Sequence, residues 1–370
     1  MAVPLLDLRA QHATIRDDVV AALMRVVDDQ AFILGEPVAQ LEAEVAALSH
    51  TTHAIGCANG TDALLLALRA LDVGRGDTVV TTPFTFFATA GTIHNVGATP
   101  VFVDIDPDTF NIDPDAVGAA ITPDVKAVVP VDLFGQMAAI ERVQAAAPGV
   151  PVIEDAAQSI GARRMIDGEW RMAGECATVG TFSFFPSKNL GGYGDGGMMV
   201  TQDGRLAERL FKLRTHGSRK TYYHEEVGYN SRLDALQAAV LAAKLPHLAA
   251  WSARRRENAA YYDAAFADLG DVRTPPIDPA NESIYNQYTL RVERRDALQG
   301  HLKQCGVGTS VYYPLPLHLQ PCFAYLGYTE GQCPEAERAA REVLSLPVYP
   351  ELTRDQLDEV VDAVRGFYGR

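Results

Sequence analysis

Lys188 sits in TFSFFPSKNLGGYGDGG (181–197), between a strand-like run and a chain too rich in glycine for a strand interior. Lysine is a strongly hydrated point charge, and nothing in the packing of this stretch asks for one. Where burial keeps its amine neutral it attacks carbonyls, so the chemistry it suggests is imine formation. Other stretches fit one carbonyl partner. CANGTDALLLAL puts Asn59, Gly60 and Thr61 directly before a helix, where open N–H groups and the positive dipole end can meet a phosphate. VIEDAAQ puts Asp155 at the carboxyl end of an expected strand, where ligands of open α/β sheets sit. Ser183 can add a hydroxyl to the phosphate, and Phe86 in PFTFFATA can cover a ring. Each has a plainer reading: a turn and N-cap at 59–61, a helix cap at Asp155, a core ring at Phe86. Pyridoxal phosphate asks for all of them together. It needs a lysine for its carbonyl, N–H groups for its phosphate, a carboxylate to keep its ring nitrogen protonated, and an apolar or aromatic cover. Gly191, Gly192, Gly194, Gly196 and Gly197 suit positive φ angles or close backbone approach to a ligand.

These residues must be positioned by an alternating chain. DTVVTT (77–82), TPVFVDI (99–105), KAVVPVD (126–132), PVIEDA (151–156) and ATVGTFSFF (177–185) read as strands, apolar without strict alternation as expected when both faces are covered. Alanine- and leucine-rich stretches such as TDALLLALRAL (61–71) read as helices between them, which implies a mostly parallel sheet with helices on both faces. Longer helices are expected over 232–245 and 247–269, separated by Pro246. The pattern divides the chain into a large domain over 1–246 and a smaller α+β domain over 247–370.

The formal net charge of −15 argues against a sequence-independent grip on nucleic acid. The basic stretch LRTHGSRK (213–220) reads equally as a solvated or a ligand-facing loop. No apolar run approaches the roughly 20 residues of a membrane span, and the opening stretch lacks the pattern of a secretory leader. Five scattered cysteines show no zinc spacing and no disulfide framework, so a cytoplasmic protein with reduced thiols and no metal site is expected. Arg232, in NSRLD, opens an expected helix where a cation works against the dipole, which points to an anionic ligand; Tyr313 and His318 in VYYPLPLH are candidates for the same ligand site.

From QAFILGEPVAQLEAEVA through CANGTDAL, EDAAQSIGA, FSFFPSKNLGGYGDGG and VGYNSRLDALQAA to LSLPVYPELT, the chain resembles the DegT/DnrJ/EryC1/StrS family of sugar aminotransferases. The resemblance implies the fold type I, aspartate-aminotransferase-like architecture and pyridoxal 5′-phosphate as cofactor. It implies Lys188 as Schiff-base lysine and proton carrier, Asp155 on the pyridinium nitrogen, and Gln158 at the cofactor's 3-oxygen. Gly60, Thr61 and Ser183 would hold the phosphate; Phe86 would stack on the ring, with Phe84 as the second choice. Asn230 would reach the phosphate of a partner across a homodimer with shared sites. The substrates implied are L-glutamate and a nucleotide-linked keto-sugar, a dTDP- or UDP-linked 3-keto-hexose before a C4 ketone. Dehydratase relatives carry a histidine where this chain has Lys188; an aminohydroxybenzoate-forming relative and a regulatory or sensory role are the other readings.

Overall fold

The computed structural model describes residues 2–370. Seven strands form the central sheet: β1 (His53–Cys57), β2 (Thr78–Thr81), β3 (Thr99–Phe102), β4 (Val125–Val129), β5 (Ile153–Asp155), β6 (Val179–Ser183) and β7 (Gly197–Thr201). Two hydrogen-bonded groups, β1-β7-β6-β5 and β3-β2-β4, are joined by single bridges at Val128–Val152 and Val131–Asp155. β5 with β6 and β2 with β3 and β4 pair in parallel, whereas β7 runs antiparallel to both neighbours. The sheet is mixed and mostly parallel, as expected, with one reversed strand, GMMVT, which returns directly after the Lys188 loop. All five of its residues are buried, as suits a strand covered on both faces.

Helix α1 (Leu8–Asp29) crosses the surface, and α2 (Gly60–Ala70) and α3 (Phe87–Asn95) follow β1 and β2. Asn59 caps α2 by accepting from Asp62 N–H at 2.8 Å. Because β1, β2, β5 and β6 point the same way, their carboxyl ends share one edge. The start of α2, the start of α3, Asp155 and Ser183 meet there.

Helix α4 spans Ala235–Lys244 and α5 spans Leu248–Phe266, with a 3₁₀ turn containing Pro246 between them. The helix expected from 232 begins three residues later, since 231–233 are not helical and Asp234, in extended backbone, takes the cap position. Arg232 thus precedes the first turn, and the dipole argument for its ligand role falls away. Helix α5 joins two cores: Leu248 packs with residues flanking the sheet, such as Phe182 and Leu241, while Ala259, Tyr262 and Phe266 pack with Tyr288, Leu290, Leu344 and Val360. Val3, from the other end of the chain, packs in that second core. No helix among the described residues is long and apolar enough to cross a membrane.

Candidate active site

A cavity of about 830 Å³ opens at the carboxyl edge of the sheet. Gly60, Thr61, Phe86, Asp155, Gln158, Ser183, Lys188 and Tyr313 all line it, although they come from five separate stretches.

The loop carrying Lys188 is held tight by backbone bonds. Lys188 N–H donates to Phe185 O at 2.9 Å, and Gly192 N–H donates to Phe184 O at 2.8 Å. A Cβ at Gly191 would lie 2.3 Å from Pro186 O, and one at Gly197 would lie 2.4 Å from the Asn59 carbonyl. None of the five clustered glycines has positive φ. The cluster serves close approach, of backbone to backbone at Gly191 and Gly197 and of the Gln237 and Phe184 side chains at the other three. It folds the lysine loop back on itself and presses its far end against the start of α2.

Lys188 is half-buried, and its Nζ has no hydrogen-bond partner among the described residues. Burial pushes the ammonium down to about 8, against a smaller upward pull from Asp155. A substantial neutral fraction near neutral pH is what a nucleophilic amine needs. Asp155 is 4% exposed at the end of β5. It accepts from the Thr89 hydroxyl at 2.8 Å and from Ala157 N–H at 3.3 Å. Burial raises its carboxyl above the ordinary value, while those two donors and Lys188 pull it back. Glu154, its neighbour, turns the other way: it accepts from Gly174 N–H at 3.0 Å and does not line the cavity.

Gln158 is fixed in one orientation, since Phe134 N–H donates to its Oε1 at 2.7 Å and its Nε2 donates to the Tyr313 hydroxyl at 3.1 Å. Burial holds the Tyr313 phenol well above its ordinary value, so it serves as a neutral donor. Phe86 is 59% exposed and projects over the cleft, its ring centre 6.4 Å from that of Tyr313. Phe84, the second choice for a ring cover, is buried in a cluster with Phe110 and Phe134. Capping by Asn59 takes only Asp62 N–H, leaving the first N–H groups of α2 open toward the cavity. Gly60 lies against Ser183, where an added Cβ would come within 2.6 Å of the serine Cβ.

Three sequence candidates lie outside this cavity. His318 is 1% exposed and bonds Glu337 at 3.1 Å, because Leu317 N–H donates to Pro83 O and carries the turn into the wall. That corrects its assignment to the sugar site. Asn230 is exposed and bridges Thr215; Arg232 is half-buried, with no ion pair among the described residues. Neither lines the cleft of its own chain. Thr85, Asp195, Gln287 and Tyr312 do line it and went unnoticed in the sequence. Thr85 and Thr89, four apart at a helix start, were the readable signal; a lone Gln287 offers none.

Residues 13–365 match the DegT/DnrJ/EryC1/StrS aminotransferase family. The chain belongs to that family. It is 53% identical to a protein of Geobacillus stearothermophilus named pleiotropic regulatory protein, over 100% of this chain and 99% of the relative. It is 46% identical to the UDP-N-acetyl-3-dehydro-α-D-glucosamine 3-aminotransferase of Acidithiobacillus ferrooxidans, over 98% and 97%. Among solved structures, DesV of S. venezuelae in complex with a ketimine intermediate superimposes with a TM-score of 0.97 at 44% identity, covering 100% of this chain and 99% of DesV. NtdA of Bacillus subtilis with the bound cofactor PMP gives 0.90 at 30%, covering 99% and 83%.

Proposed function

We propose that this chain is a pyridoxal-phosphate-dependent aminotransferase that moves the amino group of L-glutamate onto C3 of a nucleotide-linked 3-keto-hexose. The observation that carries the reading is the pairing, in one cleft, of an amine lowered to about 8 with a buried carboxylate and an open helix N-terminus. The donor set fits the cofactor. The α2 N-terminus with Thr61 and Ser183 suits a phosphate, Asp155 a ring nitrogen, Gln158 Nε2 a phenolic oxygen, and Phe86 a ring face. When bound, pyridoxal phosphate supplies a carbonyl for the imine and a ring that accepts the electrons left when a Cα proton departs.

Lys188 would hold the cofactor's carbonyl at Nζ, and the same amine, when free, would take up and return the proton at the substrate's Cα. Asp155 keeps the ring nitrogen protonated. Gln158, locked by Phe134 and Tyr313, fixes the ring's rotation, and Phe86 excludes water from one face. C3 amination follows the named activity of the A. ferrooxidans relative, and C4 is the alternative. Either substrate is soluble and anionic, consistent with a cytoplasmic enzyme that needs neither nucleic acid nor a membrane.

The test is the purified protein with pyridoxal phosphate, glutamate and a panel of UDP- and dTDP-linked keto-sugars, read by mass spectrometry. An absorbance band near about 400–430 nm and a mass gain from ketone to amine at C3 are expected. The regulatory reading, which the G. stearothermophilus name favours, predicts a colourless protein with no product.

The exclusion of Asn230 and Arg232 from their own cleft supports a twofold homodimer in which each serves its neighbour, Asn230 at the phosphate and Arg232 at a sugar or diphosphate anion. Lys188→Ala and Asn230→Asp homodimers should each be nearly inactive. Mixed dimers would gather both lesions in one site and recover up to about half the wild-type rate. Verified mixed dimers with no recovery would rule out the shared site.

A further inference from the structure

Asp155 meets the cleft through two threonines that the proposed chemistry leaves unused. The Thr89 hydroxyl donates to Asp155 Oδ2 at 2.8 Å, and Thr89 Oγ1 lies 3.1 Å from Thr85 Oγ1. All three side chains are buried. A hydroxyl carries a single proton, and an ionised carboxylate can only accept. The Thr89 proton is therefore committed to Asp155, and the 3.1 Å contact must be a bond from Thr85 to Thr89. The chain has one direction. Thr85, which lines the cavity, turns lone pairs rather than a proton toward whatever binds there. Asp155 Oδ1 holds only the long 3.3 Å contact from Ala157 N–H, so it is the oxygen with acceptor capacity to spare.

Both threonines come from the start of α3. Thr85 precedes the cap residue Phe86, and Thr89 sits in the first turn. The turn that projects Phe86 over the cleft also delivers the hydroxyls to Asp155, so ring cover and carboxylate are set by one piece of backbone.

We propose that Thr85 and Thr89 form a one-way hydroxyl chain that holds Asp155 ionised and leaves its Oδ1 as the oxygen offered to the cofactor's ring nitrogen. Thr89 is thereby a positioning residue, acting through Asp155. The purpose of the chain rests on the function proposed above; its existence does not. The charges around Asp155 are Lys188, which favours ionisation, and Asp132 and Tyr313, which Asp155 itself disfavours from ionising. Burial opposes ionisation, so a dedicated donor matters more here than at a wetted carboxylate.

The experiment titrates Asp155 in cofactor-free protein carrying ¹³C-carboxyl aspartate, with Asp155→Asn assigning the signal. Thr89→Val keeps the shape and removes the donor. It should raise the Asp155 midpoint by roughly one pH unit, the size of one hydrogen bond to a charged group. Thr85→Val should shift it the same way by less, and Thr89→Ser should stay at the wild-type value. An unmoved midpoint in Thr89→Val, or a Thr89→Ser shift as large as that of valine, would overturn the chain. If Thr89→Val does not fold by circular dichroism, Thr85→Val decides alone, and no shift there defeats the proposal. A protein that shows the shift but fails to bind pyridoxal phosphate would sink the function and leave the hydroxyl chain standing.

Discussion

Lys188→Ala should yield a folded protein that binds pyridoxal phosphate reversibly, lacks the band of the lysine imine, and transfers amine at least about 10²–10⁴-fold more slowly. Folding should survive because Lys188 Nζ makes no hydrogen bond among the described residues, and its burial disfavours the charge the substitution removes. Circular dichroism melts would check that half of the expectation. The other half is a spectrum and a single turnover with glutamate. The rival amine is Lys244, also buried and pushed down to about 8. It donates to Gly191 O at 2.7 Å and does not line the cleft, so it holds the lysine loop and cannot replace Lys188. The same depressed value predicts a pH dependence in the wild type. Only the neutral amine attacks a carbonyl, so capture of cofactor by the cofactor-free protein should quicken as pH rises through about 8 and level off above it. Stopped-flow rates that are flat from pH 6 to 10, or an alanine variant keeping more than a few per cent of activity, would contradict the assignment.

The cleft residues legible in the sequence were those whose type was wrong for their surroundings. A lysine among glycines, an acid at a strand's end and a helix opened by Asn-Gly-Thr each declare themselves locally. The parallel core was legible for a similar reason, since runs such as DTVVTT and KAVVPVD are apolar on both faces. What stayed hidden depends on distance in three dimensions. The reversed strand Gly197–Thr201 has the same apolar signature as its neighbours, and only its pairing with His53–Cys57 and Val179–Ser183 sets its direction. The glycine cluster signalled close approach, but its partners, Pro186 O and the Asn59 carbonyl, could be named only from the fold. His318 misled because a histidine beside YYPLPL reads as reachable, and nothing local tells that the turn is drawn inward by Pro83 and closed by Glu337. The dipole argument at Arg232, though not the residue's proposed role, failed through a helix boundary three residues out, an error of the usual size for element ends.

Asp155→Asn should abolish most of the turnover while leaving the cleft intact. The amide has the shape of the carboxyl, and its single oxygen can still accept from Thr89 at the Oδ2 place, so only the long Ala157 contact at Oδ1 is lost to the NH₂. It lacks the charge. A neutral amide cannot hold a proton on the ring nitrogen, so the electrons released with the Cα proton have no cationic sink. Removing one partner of a buried ion pair costs about 3–5 kcal/mol, which at 1.36 kcal/mol per tenfold is about 10²–10⁴ in rate. Both half-reactions should fall together, glutamate to cofactor and cofactor to keto-sugar, because both pass through the same proton shift. Binding of pyridoxal phosphate should persist, held by the α2 N-terminus and Lys188. The structure also answers which acid could compensate. Glu154 is buried on the opposite side of the strand, with its carboxyl raised well above the ordinary value by burial and by Asp132. It bonds Gly174 N–H and would have to leave that site to reach the cleft. An Asp155→Asn enzyme with near-normal half-reactions in stopped flow would therefore mean that transfer needs no carboxylate at the ring nitrogen, and the pairing of Asp155 with the cofactor would be wrong.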